Sequence, residues 1–196
     1  MSETTVLQEE NKVVKPVNKT RQIAISAMAI ALATVISVLI KLPSLPNGGS
    51  VTLFSMLVVT LIGYWYGPKV GITAAVTYGI IQFITGPYML TPVQVVIDYP
   101  LAFGALGLSG FFSNSKHGLI KGYLVGVLGR YAFAMVSGLV FYTTYVEAFS
   151  ENMAAVWAAF LYNLSYIAPE AIMTLILLAI PPVRKALEQG KRMALD

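Results

Sequence analysis

Residues 22–40 read QIAISAMAIALATVISVLI, an apolar run without one charged residue. At about 1.5 Å per helical residue, such a run is long enough to cross a hydrocarbon layer roughly 30 Å thick. Lys19 and Arg21 precede it and Lys41 follows it, so charge collects at the ends and is absent from the middle. The rest of the chain has the same character. Of 196 residues, 57% are hydrophobic and 11% charged, against roughly a quarter charged in a soluble domain. The mean hydropathy is +0.73. One core cannot hide this much apolar surface, so lipid is the solvent and the class is an all-α membrane protein. There are no cysteines, which excludes disulfides, thiolate chemistry and Cys-ligated metals. The net charge of +4 fits basic cytoplasmic loops and is no argument for nucleic acid.

Further apolar stretches fall at 52–66, 70–86, 93–112, 119–143 and 154–180, giving six expected spans. They are separated by Pro43 to Ser50, Gly67-Pro68-Lys69, Gly86-Pro87, Asn114 to Gly118, Glu147 to Asn152 and Pro181-Pro182. The second and third are short for a bilayer and are expected to be partly shielded. Residues 1–21 read as a polar cytoplasmic tail, 22–182 as the six-helix binding domain and 183–196 as a basic cytoplasmic tail. A cleaved signal peptide does not fit, because the first run is long and more follow. With the N-terminus inside, the inner side carries Lys12, Lys15, Lys19, Arg21, Lys69, Lys116, Lys121, Arg184, Lys185, Lys191 and Arg192. Only Lys41 falls outside and Arg130 within a span, so both termini are expected in the cytoplasm.

Three ionisable residues fall inside spans, where each must be paired or line a cavity. Arg130 and Glu170 sit at similar depth, which predicts a buried ion pair; a substrate contact is the alternative. Asp98 lies nearer the outer side with no basic residue expected at its depth. It reads as a ligand-binding carboxylate, or else as a carboxylate bonded to backbone amides of residues 87–92. The same layer holds Tyr88, Gln94 and Tyr99, then Phe141, Tyr142 and Tyr145, then Trp157, Tyr162, Asn163 and Tyr166. Any one of these suits the aromatic belt of a membrane interface. Together, a carboxylate, two amides and several rings suit a flat heteroaromatic ligand. Tyr64, Trp65 and Tyr66 read as belt at the inner side. The small residues Ala27/Ala31 and Ala29/Ala33 allow close approach of a partner helix or of a helix in the same chain.

The segments GGSVTLFSMLVVTLIGYWYGPKVGITAAVTYGIIQFITG, PVQVVIDYPLAFGALGLSGFF, GRYAFAMVSGLVFY and YNLSYIAP resemble, in order, the ThiT (YuaJ) family. These are thiamine-specific substrate-binding S components of energy-coupling factor importers. The resemblance implies a six-helix S-component fold, a vitamin held near the outer face and no cofactor. It also implies a first helix resting on a transmembrane coupling subunit, with two ATPase subunits driving uptake at the bacterial cell membrane. Carried over, the carboxylate holding the aminopyrimidine falls on Asp98, its neighbouring tyrosine on Tyr99, a second on Tyr88, a first-loop aromatic on Phe54 and the helix-six amide on Asn163. Gln94, Tyr142 and Tyr166 complete the expected pocket, and Ala27, Ala29, Ala31 and Ala33 the coupling surface.

The chain departs from the family where thiamine-binding members have a histidine; Ala134 stands there. His117, the sole histidine, falls in a cytoplasmic loop. The tryptophans that enclose the ligand are also missing, Tyr142 being nearest. A thiazolium cation prefers Trp faces to Tyr. The expected ligand is therefore hydroxymethylpyrimidine, as for a hydroxymethylpyrimidine-type S component (HmpT), ahead of thiamine and then pyridoxine. Rival readings are a stand-alone proton-coupled transporter, disfavoured by the lack of an internal repeat, and an intramembrane enzyme. For the latter, Gly107-Leu108-Ser109-Gly110 resembles a rhomboid nucleophile motif, but no base accompanies it and close packing is the better reading. No phosphate loop is present, so ATP hydrolysis belongs to another chain. Leu42 to Ser50 is a candidate lid over the site.

Overall fold

The computed structural model describes residues 18–40, 49–89, 91–145 and 152–196, with side chains left out at 141–145 and 152–155. Of the expected lid, only Gly49 and Ser50 are among them. Every element in this set is helical. Helix α1 (Lys19–Leu39) starts inside the basic anchor, because Asn18 Oδ1 caps it by accepting from Thr20 N and Arg21 N at 3.0 and 3.4 Å. Helix α2 (Ser55–Tyr66) stops at Gly67, whose φ of 87° breaks the ladder, and Pro68 opens α3 (Pro68–Thr85). Helix α5 is Gly118–Tyr145, α6 is Asn152–Ala179 and α7 is Pro181–Leu195.

Between α3 and α5, helix α4 (Pro92–Phe112) changes pitch along its length. It is α-helical over Pro92–Val96, π-helical over Ile97–Leu101, briefly α-helical again and then 3-10 over Ala105–Phe112. Pro100 explains the π turn: it has no N–H to donate, and its ring opposes a regular i−4 carbonyl.

Among the described residues, four helical stretches are long and apolar enough to cross a membrane: Lys19–Leu39, Pro92–Phe112, Gly118–Val140 and Val156–Ala179. Helix α2 is apolar but shorter. Its shortness is tolerable because protein surrounds it: Met56, Val59, Thr60 and Ile62 are all 0% exposed. Helices α3 and α5 and the 3-10 part of α4 pack around α2, and α6 joins chiefly through α5.

The 3-10 segment lies against the α2–α3 elbow at backbone distance. A Cβ on Gly107 would fall 2.3 Å from Ile72 N, and one on Gly110 would fall 2.3 Å from Pro68 N. Gly107 to Gly110 is thus a packing device. Ser109 within it is fully buried and donates its hydroxyl to Thr60 O at 2.8 Å.

The alanines of α1 do not form one surface. Ala33 is 0% exposed and packs in the core, while Ala27 and Ala31 are exposed. Positions two apart on a helix differ by about 200°, so the Ala27/Ala31 and Ala29/Ala33 pairs point to opposite sides. The outward side also shows Ile23, Met28, Leu32 and Val35.

The basic C-terminal tail is a helix, α7, laid across the end of the bundle that also bears the start of α1. Arg21 Nη2 donates to Met193 O at 2.5 Å, and Tyr66 Oη to Ala194 O at 3.2 Å. Lys191 donates to Ser113 O and sits 4.1 Å over the Tyr64 ring. Burial there holds its ammonium below the usual lysine range, partly offset by Glu188. Tyr64, expected as interface belt, is instead 7% exposed beneath this helix. Replacing Gly107 by Ala must push the elbow away from α4, at a cost of about 1–3 kcal/mol. A fall of several degrees in thermal unfolding of the detergent-solubilised protein is expected; an unchanged midpoint would refute the close packing.

Candidate ligand site

The π turn of α4 carries Asp98 to the centre of a cluster drawn from three helices and the approach to α2. Gln94, one turn earlier on α4, and Ser137 on α5 are its hydrogen-bonding neighbours, and the charge of Arg130 reaches it. Asp98 therefore has polar company and an opposite charge in its field, contrary to the expectation that no basic residue shares its depth. The miss is geometric: a guanidinium side chain several bonds long carries its charge well away from its own Cα. Arg130 lies with its guanidinium carbon 4.1 Å over the Phe103 ring.

On α6, Tyr162 and Tyr166 meet edge to face with ring centroids 5.6 Å apart. Tyr166 lies in the electrostatic reach of both Asp98 and Arg130, and Tyr162 in that of Asp98 and Tyr88. Tyr162 Oη accepts from Gly49 N at 2.7 Å. No side chain fits on Gly49, whose Cβ would lie 2.7 Å from that oxygen and 2.8 Å from Tyr166 Cδ1. The loop before α2 is thereby drawn against the two rings.

Asn163 is 4% exposed, and its amide is committed within the protein. Nδ2 donates to Ala134 O at 3.2 Å and Ala159 O at 2.9 Å, while Oδ1 accepts from Tyr166 Oη at 2.6 Å. It braces α6 against α5 and orients Tyr166. Tyr99 has a similar duty: its hydroxyl accepts from Tyr88 N at 3.0 Å, approaches Gly86 O at 3.3 Å, and its ring stands edge-on to Phe83. That fixes the turn carrying Tyr88 beside the α4 entrance, whose cap is Thr91 Oγ1 accepting from Gln94 N at 3.2 Å.

Phe54 occupies the cap position of α2 in the left-handed region, with φ 64° and ψ 2°. The side chain of Tyr142 lies outside the described residues. Trp157, counted in the outer layer, is 58% exposed and stands edge-on to Phe160.

The expected Arg130–Glu170 ion pair is replaced by another arrangement. The Glu170 oxygens are taken by Thr52 Oγ1 at 2.7 Å, Ser55 Oγ at 3.0 Å and Met56 N at 2.9 Å. Arg130 lends only its field. A buried carboxylate needs hydrogen-bond donors at close range, and the start of a helix offers them. Depth along two helices reveals neither that nor the direction of a flexible side chain. Ser137 and Thr52 were not singled out in the sequence, and nothing in their types marks them; Gly49 entered only as part of the candidate lid Leu42 to Ser50, and Tyr162 only as one ring among several.

The profile of the thiamine transporter protein family matches residues 23–188. The thiamine transporter ThiT of Bacillus subtilis (strain 168) is 30% identical over 183 residues, covering 83% of this chain and 92% of that protein. The solved structure of ThiT from Listeria monocytogenes superposes with a TM-score of 0.63 at 24% identity, over 84% of this chain and 96% of that one, and so shares its fold. A pattern matched across most of a membrane chain, and a fold that agrees with it, leave one assignment: this chain belongs to the thiamine transporter protein family, as a transport component and not an enzyme.

Proposed function

We propose that the chain is the substrate-capturing S component of an energy-coupling factor importer, binding a thiamine-related pyrimidine at Asp98. The single observation that carries this reading is the Asp98 carboxylate, set on a π turn with Gln94 and Ser137 as hydrogen-bonding neighbours and with its charge reaching Tyr162 and Tyr166. Single π turns occur disproportionately at functional sites. An aminopyrimidine offers two adjacent donors once its ring nitrogen is protonated, and a carboxylate accepts both; the rings supply stacking surface.

Hydroxymethylpyrimidine is the favoured ligand, thiamine second and pyridoxine third. The family position of a histidine is filled by Ala134, a methyl group 7% exposed whose carbonyl is already held by Asn163. Of the two tryptophans, Trp157 turns outward and Trp65 lies near Gly190 under α7. The outward Trp157 and the Trp65 beneath α7 leave no indole for a thiazolium half, which supports a ligand that is the pyrimidine alone. The chain sits in the bacterial plasma membrane with six spans, both termini and α7 cytoplasmic and the Asp98 end outward. The Ala27/Ala31 side of α1, exposed among the described residues together with Met28 and Leu32, serves a transmembrane coupling subunit carrying two ATPase subunits.

Calorimetric titration of the purified protein tests the ligand. Hydroxymethylpyrimidine is expected to bind at least about tenfold more tightly than thiamine, a difference near 1.4 kcal/mol; far tighter thiamine binding sinks the small-ligand reading. Asp98→Ala is expected to weaken capture by roughly 10- to 100-fold, the range for losing a charge-assisted hydrogen bond. Undiminished capture would remove the pocket. Leu at Ala31 should abolish uptake in cells expressing the whole importer while leaving binding by the isolated chain within about twofold, since surface changes remote from a site seldom disturb it.

A further inference from the structure

Glu170 is not among the proposed ligand contacts, yet it is 2% exposed and binds three donors, one from the approach to α2 and two from its first residues. Helix α2 needs this. Its cap residue, Phe54, has no oxygen to offer, and no side chain of its own caps it. The first amides of a helix have no partner within the helix, and its positive end favours a carboxylate. In lipid no water substitutes. Glu170 therefore caps α2 from a different helix.

A second tie lies farther along the same helix. Tyr162, eight residues before Glu170 and so about 12 Å away along α6, holds Gly49 N. The non-helical stretch 49–54 is thus pinned from α6 at Gly49 and at Thr52 and the first residues of α2, with Tyr166 and Asn163 lying between Tyr162 and Glu170 on α6. Within it, Phe54 is kept at φ 64°, a conformation that a bulky side chain holds only when its surroundings impose it.

We propose that Glu170 is a positioning residue for ligand capture: by capping α2 it fixes residues 49–54 and with them Phe54, the aromatic that the expected pocket takes as one of its walls, without touching the ligand. The proposal rests on the reading of the Asp98 cluster as the vitamin pocket.

Affinities for hydroxymethylpyrimidine and for thiamine, measured by calorimetry on the full chain in nanodiscs, test it. Glu170→Gln keeps one acceptor oxygen for Met56 N and should cost about tenfold, with Glu170→Leu costing more and Thr52→Val about as much as the Gln variant. The decisive comparison is a cycle with Phe54→Ala. In that background Glu170→Gln should add less than twofold, because its effect passes through Phe54. A full, additive loss in the Phe54→Ala background overturns the proposal, as does affinity within twofold of the parent for both Glu170→Leu and Thr52→Val. Should the Glu170 variants not fold, Thr52→Val with Phe54→Ala completes the same cycle with the same two outcomes. Asp98→Ala separates the two ideas: if it binds normally while the cycle is non-additive, the pocket reading fails and the cap stands.

Discussion

Inside a bilayer, a backbone amide or carbonyl that finds no partner in its own helix has no water to turn to, and leaving it bare costs several kcal/mol. The fold is organised around the two places where this chain interrupts its helices anyway. Before α2 the chain is irregular, and α6 supplies Glu170 for the exposed helix start and Tyr162 for Gly49 N. In α4 the ladder widens at Pro100 and then narrows into a 3-10 turn. Irregular backbone at such a depth survives only where protein or a cavity covers it, and both interruptions border the Asp98 cluster.

The two interruptions depend on each other through packing. A 3-10 segment is slimmer than an α-helix, and with glycine at 107 and 110 it reaches the backbone of the α2–α3 elbow. That close fit encloses α2 and so permits a helix of only 12 residues. A short α2 in turn starts below the bundle's far end, which leaves room for residues 49–54 to run beside α6 instead of over the surface. The Ser109 hydroxyl, donated to Thr60 O, ties the segment to α2 at the point of closest approach.

Much of the helical layout is legible in hydropathy, because a run such as residues 22–40 has no reading other than a spanning helix. The end helix α7 is not, since its charged residues mask an apolar side that packs only once Tyr64, Trp65 and Tyr66 are gathered beneath it. Asp98 is singled out as a candidate by its charge within a span alone. Its neighbour Ser137 is not, because a serine in a membrane helix most often bonds its own preceding turn. Side-chain reach accounts for the remaining errors. Helix depth placed Arg130 and Glu170 level, but their partners are a phenyl ring and the start of another helix. The alanine pairs of α1 differ in fate because a two-residue offset turns one pair inward and the other out. Asn163, expected to face the ligand, has its amide engaged in bracing α5 and α6 and in holding the Tyr166 hydroxyl.

Residues 159, 163, 166, 170 and 174 recur on α6 at the three- and four-residue spacing of one helical face. Along that face lie Ala159 against α5, the Asn163–Tyr166 pair, Glu170 at the start of α2 and the buried Thr174. One helical face therefore carries both the rings that meet Gly49 and the carboxylate that caps α2. Pro169 lies within the same helix, directly before Glu170, and its missing N–H weakens the ladder there. The Tyr162–Tyr166 stretch and the Glu170 cap are therefore joined through the approach to α2 as well as through α6. Helix α6 joins the bundle mainly along α5 and at α7, and the hydrogen bonds of Glu170 and Tyr162 tie it to the start of α2 and to the loop before it.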